Sequence, residues 1–330
     1  MGKARDFIPA LKFGHKIMPE DMAGMMGLPY VGNIWYVDPN AGSDTANSGT
    51  SQNDALATVK AAYDKCTSGK HDVVFIVPTG GTGRTTEAAA ITWAKRFTHL
   101  VGMAAPTTMT PRAGMNFTLT AATTTFQFVV TENGCIFKNV VFNQGVADSY
   151  ALVHVNGGDY NYFEGCHFSG IANATAADSA NARCVKLTGV GETVFNDCTF
   201  GVDSVASTAA NNLLEIGAVG NGSARNIFNH CRFLRLADAA APFFVSIGDE
   251  GDIDRFVLFD HCLFHNAVHS GATTMTVGID CTANLGGSVI LWDSWMVGVT
   301  DLSDSFTSLE VIGAMTQPTA SDAGLSITPS

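Results

Sequence analysis

The frame F-x-x-C-x-F returns four times along this chain, with Cys166, Cys198, Cys231 and Cys262 in its fourth position. It runs from Phe163 to Phe168, Phe195 to Phe200, Phe228 to Phe233 and Phe259 to Phe264. Phe137 to Phe142 is an earlier copy with Val140 in the cysteine slot, and Trp292 to Val297 reads as a closing copy with Trp295 there. The steps are 26, 32, 33, 31 and 33 residues. A period of this size marks a stack of similar coils, each covering the open face of the next. The unit is too short, and too rich in Phe, Val and Ile, to be a helical repeat, so the coils are made of strands.

The spacing inside the frame predicts a corner. Cysteine and the last Phe lie two apart and face the same way in a strand, but the first Phe lies three before the cysteine. Both aromatic residues can be buried only if the chain bends just ahead of the cysteine. That slot holds Asn139, Gly165, Asp197, His230, His261 and Ser294. Gly, Asn, Asp and His tolerate positive φ, so the slot reads as a left-handed corner repeated up the stack. A second strand precedes each frame, at Leu152 to Val155, Val185 to Leu187, Leu213 to Ile216, Phe244 to Ile247 and Thr276 to Ile279. From the last apolar residue of that strand to the frame is 8 residues in two coils, then 12 in two and 13 in the next. The lengthened turns, at 217–227, 248–258 and 280–291, therefore share one corner of neighbouring coils.

The chain has 330 residues, 46% hydrophobic and 15% charged, enough to bury a large core. A net charge of −12 without any Lys/Arg run argues against nucleic acid as a partner. No stretch of about 18 apolar residues exists to span a membrane, and the N-terminus lacks the apolar core of a secretory signal. Four of the eight cysteines occupy one repeat slot and none forms C-x-x-C, so they read as core thiols of a chain folded in a reducing cytoplasm. His230 and His261, with Asp197 one coil below, are explained by the corner, and no metal or cofactor is expected. His154, His167, His265 and His269 read as surface residues. Thr79 to Thr85, TGGTGRT, lacks the G-K-[ST] ending of a phosphate loop.

Ahead of the repeats come a strand at Ile34 to Val37, a turn-rich loop at 38–54, an amphipathic helix at Ala55 to Cys66 and a strand at Asp72 to Val77. This order, with Tyr36-Val37-Asp38, Gly42-Ser43-Asp44 and Ala57 to Ala62, resembles the entry segment of right-handed parallel β-helix proteins of the pectin-lyase-like group. The resemblance covers residues 33 to about 300. It implies an all-β fold: a right-handed parallel β-helix solenoid at 33–300, with an N-terminal capping helix near 55–66. An extended arm at 1–32 precedes it and a C-terminal cap or tail at 301–330 follows.

The group includes pectate and pectin lyases, polygalacturonases and bacteriophage tailspikes. Asp249, Glu250, Asp252 and Asp254 form an acidic cluster in one long turn, a possible glycan or cation site that Glu215 and Asp280 could join. The only cations read on that wall are Arg225 and Arg255, and no aromatic sugar platform or matched carboxylate pair is evident. No catalytic residue is assigned, and the chain is expected not to be an enzyme. The arm carries Phe7, Ile8, Leu11, Phe13, Met18, Met22, Met25 and Met26, apolar side chains suited to a partner surface. Arm plus rod looks like a virion protein of a tailed bacteriophage. On that resemblance the expectation is a homotrimeric capsid decoration or stabilising protein, assembled in the host cytoplasm, whose arm grips the major capsid or tail protein. The alternative is a tailspike-like lyase or glycoside hydrolase, or a host-glycan-binding protein.

Overall fold

The computed structural model describes residues 18–26, 31–81, 83–105, 107–109, 113–118, 126–144, 151–217, 222–247, 252–268, 273–281, 286–305 and 309–312. Their strands form three parallel sheets, and from Val73 on the chain visits the sheets in the same order, one, two, three. Sheet one begins at Ile34–Val37 and ends at Leu309–Ile312, sheet two runs from Arg84–Glu87 to Trp295–Val297, and sheet three from Ile91–Trp93 to Val299–Ser303. Strands about 4.8 Å apart make the ten described strands of sheet one a rod on the order of 40 Å long. This is the expected all-β right-handed parallel β-helix.

The Phe frame fills the interior. Phe163 pairs in register with Phe137 and Phe195, and Phe228 with Phe195 and Phe259. Their rings stack at 4.6, 4.6, 4.8 and 4.9 Å from Phe137 up to Phe259. The second Phe of each frame makes a parallel column from Phe142 to Phe264, and the two columns meet edge to face. The corner slot has positive φ as expected: 54° at Asn139, 60° at Gly165, 52° at Asp197 and His230, and 50° at His261. All eight cysteines are free and buried. Each ladder thiol donates to the carbonyl of the first Phe one coil below, Cys262 to Phe228 at 3.2 Å and Cys231 to Phe195 at 3.3 Å. The slot therefore takes a small buried side chain, a hydrogen donor in every copy but the first, where Val140 fills it.

The closing copy of the frame is shifted by one residue from the sequence reading. Phe259 pairs with Leu291, Phe264 with Met296 and Leu263 with Trp295. Asp293, at φ 41°, makes the corner, and Ser294 fills the cysteine slot, its hydroxyl donating to the Phe259 carbonyl at 3.0 Å. Because side chains alternate, the slip turns Trp292 and Trp295 outward.

A second left-handed corner, unread in the sequence, joins sheet three to sheet one. Tyr160, Glu192 and Arg225 have φ of 57°, 52° and 54°. The residue after each is buried and polar, Asn161, Thr193 and Asn226, and these bond along the stack. Cys135 N donates to Asn161 Oδ1 at 2.8 Å, Asn161 N to Thr193 Oγ1 at 3.3 Å, and Thr193 N to Asn226 Oδ1 at 3.0 Å. A tight turn inside the rod leaves backbone groups that only such side chains can satisfy.

The lower end is capped by α2, Val59–Lys65, shorter than the expected helix because residues 55–58 are extended. Buried Glu87 accepts from Val59 N at 2.8 Å and ties the cap to the coil above. A further helix, α1, at Pro19–Met26, lies inside the expected arm. Its Met22 is fully buried, and with Ala23 it packs on Ile34, Tyr36, Val73, Phe75 and Val101. The arm's last turns thus belong to the rod. His154 and His167 are also buried, contrary to the surface reading, because both lie within paired strands.

Candidate functional site

Sheet three carries a charged row on its outer face. Its register sets His154 beside Lys186, Lys186 beside Glu215, Glu215 beside Ser246 and Ser246 beside Asp280, one residue per coil. Alternation dictates this: Val153, Val155, Val185, Leu187, Leu214 and Ile216 are buried, so the residues between them face out.

Glu215 is the hub. Lys186 Nζ bonds its Oε1 at 2.5 Å, and Arg183 Nε bonds its Oε2. Burial pushes the Glu215 carboxyl up, but the charge of Arg183 and the hydrogen bonds of both cations outweigh it and hold the pKa below the usual carboxylate range. Glu215 is thus a fixed anion. His154 lies under Phe126, ring centroids 4.1 Å apart, and its Nε2 meets Thr188 Oγ1 at 3.0 Å. Burial, reinforced by the Lys186 charge, pushes its pKa down to about 4, so the ring is neutral at pH 7.

Above the hub stands a carboxyl pair. Ser246 Oγ donates to Asp280 Oδ2 at 2.9 Å, and Asp304 Oδ1 accepts from Cys281 N at 2.7 Å. Asp304 is thus the carboxylate neighbour of Asp280. The Asp280 pKa is raised, first by burial and then by Asp304, although the Ser246 hydrogen bond works against it. A neighbouring carboxylate disfavours a second negative charge, which is the direction of the Asp280 shift. The result is two neighbouring carboxyls, one with a raised pKa, with a fixed anion and two cations below them.

Of the acidic turn read in the sequence, Asp252 and Asp254 are described. Asp252 is buried, with its backbone carbonyl accepting from Ser223 N at 2.7 Å, while Asp254 is exposed and pairs with Arg255 at 2.7 Å. Asp249 and Glu250 lie outside the described residues. Arg225 pairs instead with Glu192 at 3.0 Å. Glu215 and Asp280 do face one wall, but with Arg183, Lys186, Ser246 and Asp304 as companions, all four missed in the sequence. The polar member inside each apolar strand, Lys186 in RCVKLT or Asp280 in MTVGIDC, was the signal that could have found them. Of the arm residues, Phe7, Ile8, Leu11 and Phe13 lie outside the described residues, as does the side chain of Met25. Met18 is exposed, Met22 is spent on the chain's own core, and Met26 packs partly against it. His230 and His261 stack at 5.2 Å, and Asp197 pairs with Arg232 at 2.8 Å. Among the described residues no three His, Cys, Asp or Glu side chains gather to hold a metal.

No protein-family model matches the chain, and no curated protein matches it. Solved structures share its fold. Pectin methylesterase PemA from Erwinia chrysanthemi is 11% identical with a TM-score of 0.52, covering 86% of this chain and 82% of that one. The pectin methylesterase from Aspergillus niger is 14% identical with a TM-score of 0.50, covering 85% and 84%. ORF18 of Geobacillus virus E2 is 14% identical with a TM-score of 0.51, covering 87% of this chain but 57% of that longer one. The expectation that the chain is not an enzyme is overturned: the fold it shares is one on which enzymes are built.

Proposed function

We propose that this protein binds a polysaccharide along the outer face of sheet three and hydrolyses it there, as a component of a bacteriophage particle. The observation that carries the reading is the neighbouring carboxyls Asp280, held by Ser246, and Asp304, held by Cys281 N, above the Arg183–Glu215–Lys186 cluster. In this reading the protonated carboxyl, Asp280, gives its proton to the leaving oxygen of a glycosidic or ester bond. Asp304 is the base that takes a proton from the attacking water, whose hydroxyl completes the other product. Lys186 and Arg183 hold the polymer's oxygens and Glu215 fixes those cations in place. The row steps about 4.8 Å per coil, so a chain of sugars lying along the rod meets several coils at once. The shared fold with pectin methylesterases supports carbohydrate chemistry, and that with the Geobacillus virus protein supports a viral setting.

The test is release of new reducing ends or free acyl groups from a panel of cell-surface polysaccharides and pectins. Wild-type protein should release product from at least one polymer, and Asp304→Asn should lose the activity while melting as before. Release at the wild-type rate by Asp304→Asn would remove this site from the reaction.

Particle attachment belongs to the same reading. Helix α1 packs on the first coils, which supports residues 1–17, rather than the whole arm, as the segment that grips a major capsid or tail protein. The assembly is read as a homotrimer decorating the particle. Deleting residues 1–17 should free the rod from particles without unfolding it, and full retention on particles would end the arm proposal.

A further inference from the structure

We propose that the ridge between sheets one and two at the upper end of the rod, bearing Trp292 and Trp295, is a second carbohydrate site that takes a neutral oligosaccharide. It lies on a different wall from the sheet-three row and does not depend on it.

The side chains of the Phe columns below this ridge are fully buried, whereas Trp292 is 46% and Trp295 55% exposed. They stand at outward positions that lower coils give to polar or smaller residues: Asp260 and Asn229 below Trp292, Leu263 and Arg232 below Trp295. An exposed indole surrenders apolar area to water, and two on one corner make a patch of the kind that marks a ligand surface. The corner itself, Asp293 and Ser294, separates the two rings, so one ring flanks each side of the ridge.

The polar groups at the ridge fit the same ligand. Asp260 Oδ1 lies 2.6 Å from His261 Nδ1, and His261 Nε2 lies 3.9 Å from Asp293 Oδ2. The His230 ring stacks on His261 from the coil below. A hexose has an apolar face of C–H groups that lies on an indole, and a rim of hydroxyls that donate to carboxylate oxygens. Charge narrows the class. Asp260 and Asp293 at the ridge and a net charge of −12 on the chain repel a uronate or sialylated polymer. Neutral sugars meet no such cost.

The experiment is titration of the full chain with cellohexaose, chitohexaose and hexagalacturonate, followed by tryptophan fluorescence and calorimetry. Trp93 is buried and Trp35 half-buried, so the exposed pair dominates any quenching. A neutral hexamer should bind, and Trp292→Ala and Trp295→Ala should each weaken it about tenfold, the loss of one stacked ring. Asp293→Asn should weaken it less. Both alanine variants lose only an exposed side chain, and unchanged thermal melts would show that they fold. Three results would overturn the proposal: no binding of either neutral hexamer, wild-type affinity in both alanine variants, or hexagalacturonate quenching the exposed tryptophans as tightly as the neutral sugars do. A double Trp→Ala variant that falls to a smaller oligomer by light scattering would make the ridge a subunit contact and overturn it equally.

Discussion

One residue sets each corner between sheets one and two, and its backbone explains its identity. Asn139, Asp197, His230 and His261 accept φ near 50°, a conformation that costs most residues roughly 1–2 kcal/mol. At Gly165 an added Cβ would meet only the Asn139 Cα, at 3.9 Å. Gly165→Asn should therefore melt close to wild type, whereas Gly165→Val should lose roughly 1–2 kcal/mol in denaturant titrations because a β-branched residue strains at positive φ. Equal melts for the two would mean that backbone conformation does not govern the slot. The slot was legible because it alternates among residues sharing one backbone property. The final frame was misread because tryptophan passes for a core residue by composition. What decides it is the slot: Ser294 supplies the hydrogen that a cysteine supplies elsewhere, and Trp295 cannot.

At the scale of elements, stacking of like on like holds the coils in register. Phe195 sits between Phe163 and Phe228 and also meets Phe168 and Phe200 at ring edges. Phe195→Ala should cost about 3–5 kcal/mol by chemical denaturation, since rings above and below cannot both close the gap. A cost under about 1 kcal/mol would mean that the column relaxes and does not order the rod. Strand positions and the capping helix were readable because period-two alternation and an amphipathic stripe leave direct marks. The second corner was not, because Tyr160, Glu192 and Arg225 share no property that suits positive φ. The sheet-three row escaped for a related reason. Each polar residue there looks like a lone interruption in its own strand, and only the register shows that the interruptions align.

Across the whole molecule, buried histidines couple stability to pH. Burial lowers the pKa of His99 to about 3, and those of His154 and His167 to about 4. In the unfolded chain all three titrate near 6.5. Above that value both states are neutral and pH has no effect through them. As pH falls below it, the unfolded state gains protons that the folded state refuses, so stability drops. Each histidine contributes about 1.4 kcal/mol per pH unit, or about 4 kcal/mol per unit for three between roughly pH 6 and 4. Urea midpoints should fall steeply over that window and stay flat from pH 7 to 8. A midpoint that holds steady down to pH 4 would place these rings in water.

The catalytic reading rests on one carboxyl, Asp280, whose pKa burial and Asp304 raise above the ordinary value. Its most direct test is the rate of polysaccharide hydrolysis against pH, for wild type and Asp280→Asn, on whichever polymer the panel selects. The rate should fall as pH rises through the raised pKa of Asp280, and below that pKa Asp280→Asn should lose at least about a hundredfold, the lower range for removing a general acid, with the gap closing above it. A rate in Asp280→Asn equal to wild type, with the same pH profile, would contradict the assignment of sheet three as the working face.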